Sequence, residues 1–209
     1  MDYIISLRHV HDLMNLASRL KHLTNTYRCI HVDFIDGVYL KNFSITLPFI
    51  AAMRKITDAA LDIHVMLTDP FYYLDDMIEA GSTYLSFHSE MLMNEAFRTA
   101  HYLHKHGRKL GVVLVPGAPI EMIYPYISHL DKITVMMVDP GFSGGIFVPE
   151  ALDTVCKLKE LRKEKGYHYI VEADGQCNEK HFTELKQAGV ESYIVGSGLF
   201  GLMKQGLTL

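Results

Sequence analysis

The feature that most constrains the fold is a unit that recurs eight times: a short run rich in β-branched and apolar residues, followed by a segment of helical character. Alternating strands and helices favour a parallel sheet, because each crossover between parallel strands needs a connection about as long as a helix. The helical pattern is clearest over residues 90–107 and 149–166, where Gly107 and Gly166 are placed to end the helices. The eight predicted strands are residues 3–7, 29–34, 61–66, 83–87, 109–114, 132–138, 168–174 and 192–197.

Eight such units predict a closed (β/α)8 TIM barrel that forms one domain over residues 1–209. The alternative is an open, doubly wound sheet. No GxGxxG opens the first unit and the chain has no GxxxxGK[ST], which disfavours the nucleotide-binding form of that alternative.

Composition narrows the possible partners and the compartment. The net charge of -4 at pH 7 gives no basic surface for nucleic acid. No apolar run is long enough to cross a bilayer, and the N-terminal residues lack the pattern of a signal peptide. Three scattered cysteines without a CxxC pair are typical of reduced thiols. We therefore expect a cytoplasmic protein with neither a nucleic-acid nor a membrane partner.

Polar residues stand at the ends of three predicted strands. In a barrel, the C-terminal strand ends and the loops that follow them carry the active site. Side chains alternate along a strand, so His31 and Asp33 share one face of "CIHVDF", and we expect His64 and Asp174 to point inward at the same end. Two imidazoles and two carboxylates suit a divalent metal with positions left open for substrate. The competing interpretation is that each residue is an ordinary hydrogen-bonded or ion-paired group at the barrel end.

Other histidines have weaker claims to a metal. His101, His104 and His106 lie within one or two turns of a predicted outer helix, and we interpret them as a solvated face. His88 ends the fourth strand and could support a ligand, but we give it no direct metal contact.

Glycine-rich segments follow the sixth, seventh and eighth strands at residues 140–145, 174–176 and 196–198. Glycine lets backbone amides approach an anion closely, and barrels of this kind often bind phosphate in the loops after the last strands. These segments therefore predict a phosphate site.

The segments "HVDFIDGVYLKN", "LDIHVMLTDPFYYLDDMIEAG", "VMMVDPGFSGGIF", "EADG" and "VGSGLF" resemble the ribulose-phosphate 3-epimerase family, in order and over nearly the whole chain. Within it, residues 131–200 are most similar to the allulose-6-phosphate 3-epimerases, notably in "LKELRKEKGYHY" and "DGQCN". The resemblance implies a metal-dependent barrel enzyme that inverts C3 of a ketose phosphate, working as a homo-oligomer. The preferred substrate would be D-allulose 6-phosphate, with D-ribulose 5-phosphate as the alternative.

The resemblance also implies roles for individual residues. His31, Asp33, His64 and Asp174 would bind one divalent ion (zinc, manganese, iron or cobalt), and Asp33 and Asp174 would be the acid and base. The expected substrate and phosphate contacts are Ser6, His64, Met66, Met136, Gly141, Phe142, Ser143, Gly144, Gly175, Gln176, Gly196 and Ser197.

Some positions depart from the family pattern. Ile35 stands where a methionine is usual, and Ser6 lacks the common preceding proline. Gln176 and Gly145 differ from the ribulose-phosphate enzymes, which usually carry a glycine and a glutamine there. These departures motivate a third reading, a metal- and sugar-phosphate-binding protein without turnover. The orotidine-phosphate decarboxylase-like group is disfavoured because "HVDFIDG" lacks the lysine of a DxKxxD motif.

Overall fold

A computed structural model describes residues 2–6 and 28–196. In chain order, the strands and helices are β1 (Asp2–Ser6), β2 (Cys29–Ile35), α1 (Leu47–Arg54), β3 (Ala60–Met66), α2 (Leu74–Glu79), β4 (Tyr84–His88), α3 (Ser89–Leu92), α4 (Ala96–Lys105), β5 (Lys109–Leu114), β6 (Lys132–Met136), α5 (Ala151–Lys165), β7 (Ile170–Asp174), α6 (Phe182–Ala188) and β8 (Ser192–Val195). None of the helices in these ranges is long and apolar enough to cross a bilayer.

The eight strands form a closed parallel barrel in sequence order. Strand β1 decides the closure, because Ile5 pairs with Ile30 of β2 on one side and with Val195 of β8 on the other. The predicted barrel is therefore confirmed, and the open sheet is wrong. All eight strand predictions fall on observed strands, although β6 stops at Met136 rather than at 138.

Two connections differ from the predicted helices. The helix predicted over residues 90–107 is interrupted by a turn at 93–95, which separates α3 from α4. The link from β5 to β6 carries only two 3-10 turns, Ile120–Ile123 and Ile127–His129. The predicted helix ends are confirmed, since Gly107 and Gly166 adopt φ values of +66° and +69°.

The two faces of the strands have opposite character. Residues that face the helices form one continuous apolar core, in which strand residues such as Val32, Ile63 and Val171 pack against Met53, Val155 and similar helix residues. Each fully buried aliphatic side chain of this kind contributes about 1.5–3 kcal/mol. The inward face is mostly polar, with His31, Asp33, Asp62, His64, Ser86, Lys132, Thr134, Glu172 and Ser192 all buried. Stability therefore comes largely from the layer between strands and helices, which leaves the barrel interior available for chemistry.

Candidate active site

The four residues predicted as metal ligands meet at the C-terminal rim of the barrel. Asp33 and His64 are register partners on β2 and β3, and Asp174 ends β7. One ligand atom from each of His31, Asp33, His64 and Asp174 lies within 4.8 Å of the others. His31 Nε2 and His64 Nδ1 lie 3.4 and 3.3 Å from Asp33 Oδ1, and His64 Nδ1 lies 3.9 Å from Asp174 Oδ2.

The nitrogens that face this cluster are suited to a cation. Among the residues that the structure describes, His31 Nε2 and His64 Nδ1 are buried and have no hydrogen-bond partner. An unsatisfied buried polar atom is costly. Because both nitrogens face the same carboxylate oxygen, a bound group between them would give both a partner. Imidazole nitrogen and carboxylate oxygen together accept several divalent metals. The cluster could therefore hold a divalent metal ion.

The two carboxylates of the cluster have different electrostatic environments. Burial by itself raises the pKa of Asp33, but the adjacent imidazoles of His31 and His64 outweigh it and hold that pKa well below its usual range. Burial raises the pKa of Asp174; the charges of His31 and His64 oppose this rise without cancelling it, and the nearby Asp33 adds to it. Two carboxyl groups in one cluster thus differ in their affinity for a proton.

A layer of charged residues lies beneath His31. Its Nδ1 is 2.6 Å from Asp62 Oδ2, and the same oxygen is 2.6 Å from Lys132 Nζ. Lys132 also lies 2.8 Å from Glu172 Oε1. Ser86 donates a hydrogen bond to Asp62 Oδ1, and Thr134 and Ser192 donate to Oε1 and Oε2 of Glu172.

Sequence reasoning missed Asp62 and Lys132. The signal was present, because Asp62 precedes His64 by two residues and Lys132 precedes Met136 by four, which places each on the inward face of its strand. What the pattern could not indicate is that side chains from β3, β6 and β7 join in one network.

His88 lies behind His64. Its Nε2 is 2.9 Å from His64 Nε2, and the two rings stack with centroids 5.0 Å apart. Burial and the adjacent His64 lower the pKa of His88 to about 2, so His88 is neutral and its Nε2 is able to accept a hydrogen bond from His64 Nε2. Tyr39 packs edge-on against His88 and donates a hydrogen bond to Glu90. His88 therefore contacts a candidate ligand from outside the cluster, in keeping with the supporting role considered for it.

A cleft opens beside the four-residue cluster, lined by the glycine-rich segments 141–145 and 174–176 together with Asp33, Met136 and Gly196. Gly175 has φ +92°, and a Cβ there would lie 2.6 Å from Val138 Cγ2, so only glycine fits. From the loop after β2, the Asn42 side-chain amide donates to Gly141 O at 2.7 Å. The segments 141–145 and 174–176, two of those predicted to bind phosphate, are thus neighbours, and they adjoin the candidate metal cluster.

Gln176 is held differently from the neighbouring glycines. It adopts a left-handed backbone with φ +53°, and its Nε2 donates to Gly145 O at 2.6 Å. Its Oε1 accepts from Asn178 Nδ2 at 2.8 Å. The side chain therefore braces the loop after β7 against the loop after β6.

The other predicted contacts differ in their placement. Met136 lines the cleft, whereas Met66 is buried beside its register partner Ile35. The Ser6 side chain and Ser197 lie outside the described residues; only the backbone of Ser6 is placed, as the register partner of His31. His101, His104 and His106 are exposed on and just after α4, which confirms the solvated face.

Comparison with known proteins agrees with this geometry. The family profile described as "Ribulose-phosphate 3 epimerase family" matches residues 5–200. The chain belongs to the ribulose-phosphate 3-epimerase family. Relatives in this family include the ribulose-phosphate 3-epimerase of Treponema pallidum, 31% identical over 171 residues that cover 82% of this chain and 78% of the relative. The Bacillus subtilis ribulose-phosphate 3-epimerase is 33% identical over 174 residues, covering 83% of this chain and 80% of the relative.

The fold is also shared with more distant proteins. A mutant tryptophan synthase alpha-subunit from Pyrococcus furiosus superimposes with a TM-score of 0.71 at 12% identity, covering 100% of this chain and 91% of that chain. At such low identity the similarity extends to the barrel alone.

Proposed function

We propose that this chain is a metal-dependent ketose-phosphate 3-epimerase that interconverts D-allulose 6-phosphate and D-fructose 6-phosphate. The observation that carries the proposal is the meeting of Asp33 and Asp174 with two imidazoles beside a glycine-lined cleft. Membership in a family whose curated relatives are named ribulose-phosphate 3-epimerase supports the reaction class.

The chemistry explains why two carboxylates are needed. Inversion of a carbon next to a carbonyl takes a proton from one face and returns a proton to the other face. One carboxylate cannot readily reach both faces, so Asp33 and Asp174 act as a base and acid pair, each serving one face of C3. Their different environments suit opposite protonation states at the start of a turnover.

The metal would be held by His31, Asp33, His64 and Asp174. A divalent cation bound there supplies Lewis-acid polarisation of the substrate carbonyl and stabilises negative charge as the C3 proton leaves. Met136 contributes an apolar, polarizable wall that does not compete for protons. The donor set accepts zinc, manganese, iron or cobalt.

The phosphate end of the substrate would bind among the loop amides of Gly141, Phe142, Ser143 and Gly144, with Gly175 and Gly196 opposite. By family resemblance, Ser197 adds to this end and Ser6 contacts the sugar. Gln176 contributes by holding the two phosphate loops together.

Two sugar phosphates are candidate substrates for this site. Similarity of residues 131–200 to allulose-6-phosphate 3-epimerases favours the six-carbon sugar, as does Gln176 in place of the second glycine of the ribulose-phosphate enzymes. The names of the curated relatives favour conversion of D-ribulose 5-phosphate to D-xylulose 5-phosphate. A cytoplasmic location and a homo-oligomeric assembly stay predictions of the sequence.

Proton NMR in D2O tests the proposal. Metal-loaded protein is mixed with each sugar phosphate in turn, and deuterium entry at C3 is followed with the appearance of the C3 epimer. Turnover of both sugars, faster for allulose 6-phosphate, supports the reaction and the preference. Faster turnover of ribulose 5-phosphate would identify the pentose phosphate as the preferred substrate. Metal and ligand binding without exchange favours the non-catalytic reading that Ile35 and Gln176 motivated.

A further inference from the structure

Lys132 is a buried cation in the barrel interior, and the proposed reaction gives it no role. Its side chain is 3% exposed and lies between Asp62 and Glu172, at 2.6 and 2.8 Å. Lysine is rarely buried to this degree unless it is paired. The question is whether Lys132 only neutralises these carboxylates or also acts on the site above them.

Lys132 is connected to the candidate metal cluster through one oxygen atom, Asp62 Oδ2. Asp62 Oδ2 lies 2.6 Å from Lys132 Nζ and 2.6 Å from His31 Nδ1, while Oδ1 accepts from Ser86. The carboxylate is therefore held from three directions and has no freedom to rotate away from His31. With its Nδ1–H directed at this fixed acceptor, the imidazole turns Nε2 toward Asp33, where it has no hydrogen-bond partner among the described residues.

The barrel leaves room for this arrangement at Gly111. This residue is the register partner of both Ser86 on β4 and Lys132 on β6. A Cβ at Gly111 would lie 2.3 Å from Ser86 Oγ, so a side chain from β5 is excluded at this level. The gap lets Lys132 on β6 reach Asp62 on β3 across the barrel interior.

We propose that Lys132 is a positioning residue for the candidate metal centre: through Asp62 it orients His31 with Nδ1–H held and Nε2 presented to the ion. The inference rests on the proposed function only in taking His31 as a metal ligand. Partners behind a metal-bound histidine typically change metal affinity 10- to 100-fold when they are removed.

Glu172 provides a matched control. Glu172→Gln removes the Lys132–Glu172 ion pair but leaves Lys132 on Asp62 and keeps an amide to bond Thr134 and Ser192. Lys132→Met in the Glu172→Gln background removes one positive charge and one negative charge together. Asp62 then loses its cation without a second unpaired carboxylate, which makes this double variant more apt to fold than Lys132→Met alone.

The test measures Zn²⁺ affinity by competition with a chromophoric chelator, and records the His31 Nδ1 proton by NMR in the Zn²⁺-loaded protein. We expect Glu172→Gln to bind Zn²⁺ within about twofold of the parent and the double variant about tenfold more weakly. The His31 Nδ1 proton should be downfield and slow to exchange in the parent and in Glu172→Gln, and should lose both properties in the double variant.

Two results would overturn the inference. One is a double variant with the Zn²⁺ affinity of the parent and an unchanged His31 Nδ1 proton. The other is a loss of Zn²⁺ affinity in Glu172→Gln as large as that in the double variant. If the double variant fails to fold, the NMR measurement on the parent protein tests the inference by itself. Binding of Zn²⁺ through His31 Nδ1, or a freely exchanging Nδ1 proton, contradicts the proposed orientation. Parent protein that binds Zn²⁺ with the expected Nδ1 signal but turns over neither sugar phosphate would reject the proposed function and leave the role of Lys132 intact.

Discussion

His64 Nε2 and His88 Nε2 lie 2.9 Å apart, within hydrogen-bond distance, and the two imidazole rings stack. If His64 presents Nδ1 to a metal, its own proton is on Nε2 and is donated to the neutral His88. Replacement of His88 by phenylalanine keeps a flat ring but removes the acceptor. We expect His88→Phe to weaken Zn²⁺ binding about tenfold, as measured by chelator competition.

His101, exposed on α4, is the control for that experiment. His101→Phe should leave the Zn²⁺ affinity unchanged. Equal affinity in His88→Phe and the parent would mean that His88 does not support His64.

The two carboxylates of the cluster should be equally indispensable. Asp33→Asn and Asp174→Asn keep the side-chain shape but cannot accept a proton, so each should reduce deuterium exchange at C3 by a factor of about 10² to 10⁴ and also weaken metal retention. NMR of the sugar phosphate in D2O measures the first effect, and metal content after dialysis measures the second. Asp58→Asn, at an exposed site after α1, is the control and should keep full activity. Full activity of either cluster variant would reject the acid and base assignment.

Gln176 should influence the choice of substrate more than stability. Gln176→Gly removes the bond to Gly145 O, which costs about 1 kcal/mol, but it also relieves a left-handed backbone that costs a similar amount. The free energy of unfolding should thus change little, while the freed loop shifts the ratio of kcat/KM values toward ribulose 5-phosphate by about fivefold.

Asn178→Ala is the comparison for Gln176. It removes the bond to Gln176 Oε1 and the bond that Asn178 Oδ1 accepts from the Lys180 amide, but it leaves the brace from Gln176 to Gly145, so its shift in the kcat/KM ratio should be smaller. An unchanged ratio in Gln176→Gly would remove Gln176 from the list of specificity determinants.

Gly111 should be intolerant of a side chain. A Cβ there would lie 2.3 Å from Ser86 Oγ and 3.2 Å from Ser86 Cα, so Gly111→Ala should lower the free energy of unfolding by about 1–3 kcal/mol. Urea unfolding measures the change. At Gly117 nothing lies within 4 Å of the added Cβ, and Gly117→Ala should stay within about 0.5 kcal/mol. Similar losses at both positions would show that close packing at Ser86 is not the cause.

Glu191 should contribute stability that depends on pH. Partial burial raises its pKa, but hydrogen bonds from Arg162 and from the Val171 amide outweigh burial and lower the pKa below the usual value. A lowered pKa in the folded state means that the stabilisation is present above about pH 4.5 and is lost as the pH falls through the folded pKa. The pair is partly exposed to solvent, which screens the charges, so its contribution is about 0.5–1 kcal/mol.

Urea unfolding of the parent and of Glu191→Gln from about pH 7 to about pH 3.5 checks this prediction. The parent should be the more stable protein at neutral pH, and the difference should vanish at the acid end. A constant difference across the range would assign the effect to the hydrogen bonds alone and not to the charge.

Local sequence pattern determined much of this protein. Alternation of polar and apolar residues in "CIHVDF" and "LDIHVM" assigns His31, Asp33 and His64 to the inward face, because the side-chain period of a strand is two whatever surrounds it. The same alternation, repeated with helical segments between, predicts eight parallel strands, and the glycines after the last strands indicate where backbone approaches a ligand. These features depend only on residues near one another in the chain.

Only the tertiary structure decided which inward side chains meet. Asp62 and Lys132 are 70 residues apart in the sequence, and their contact requires that the barrel close and that β5 carry a glycine between Ser86 and Lys132. The placement of His88 against His64 and of Gln176 against Gly145 depends in the same way on strand register and loop packing. Local propensity carries no information on such distances, because one residue of register shift would turn Asp62, Lys132 and His88 to the opposite face of their strands.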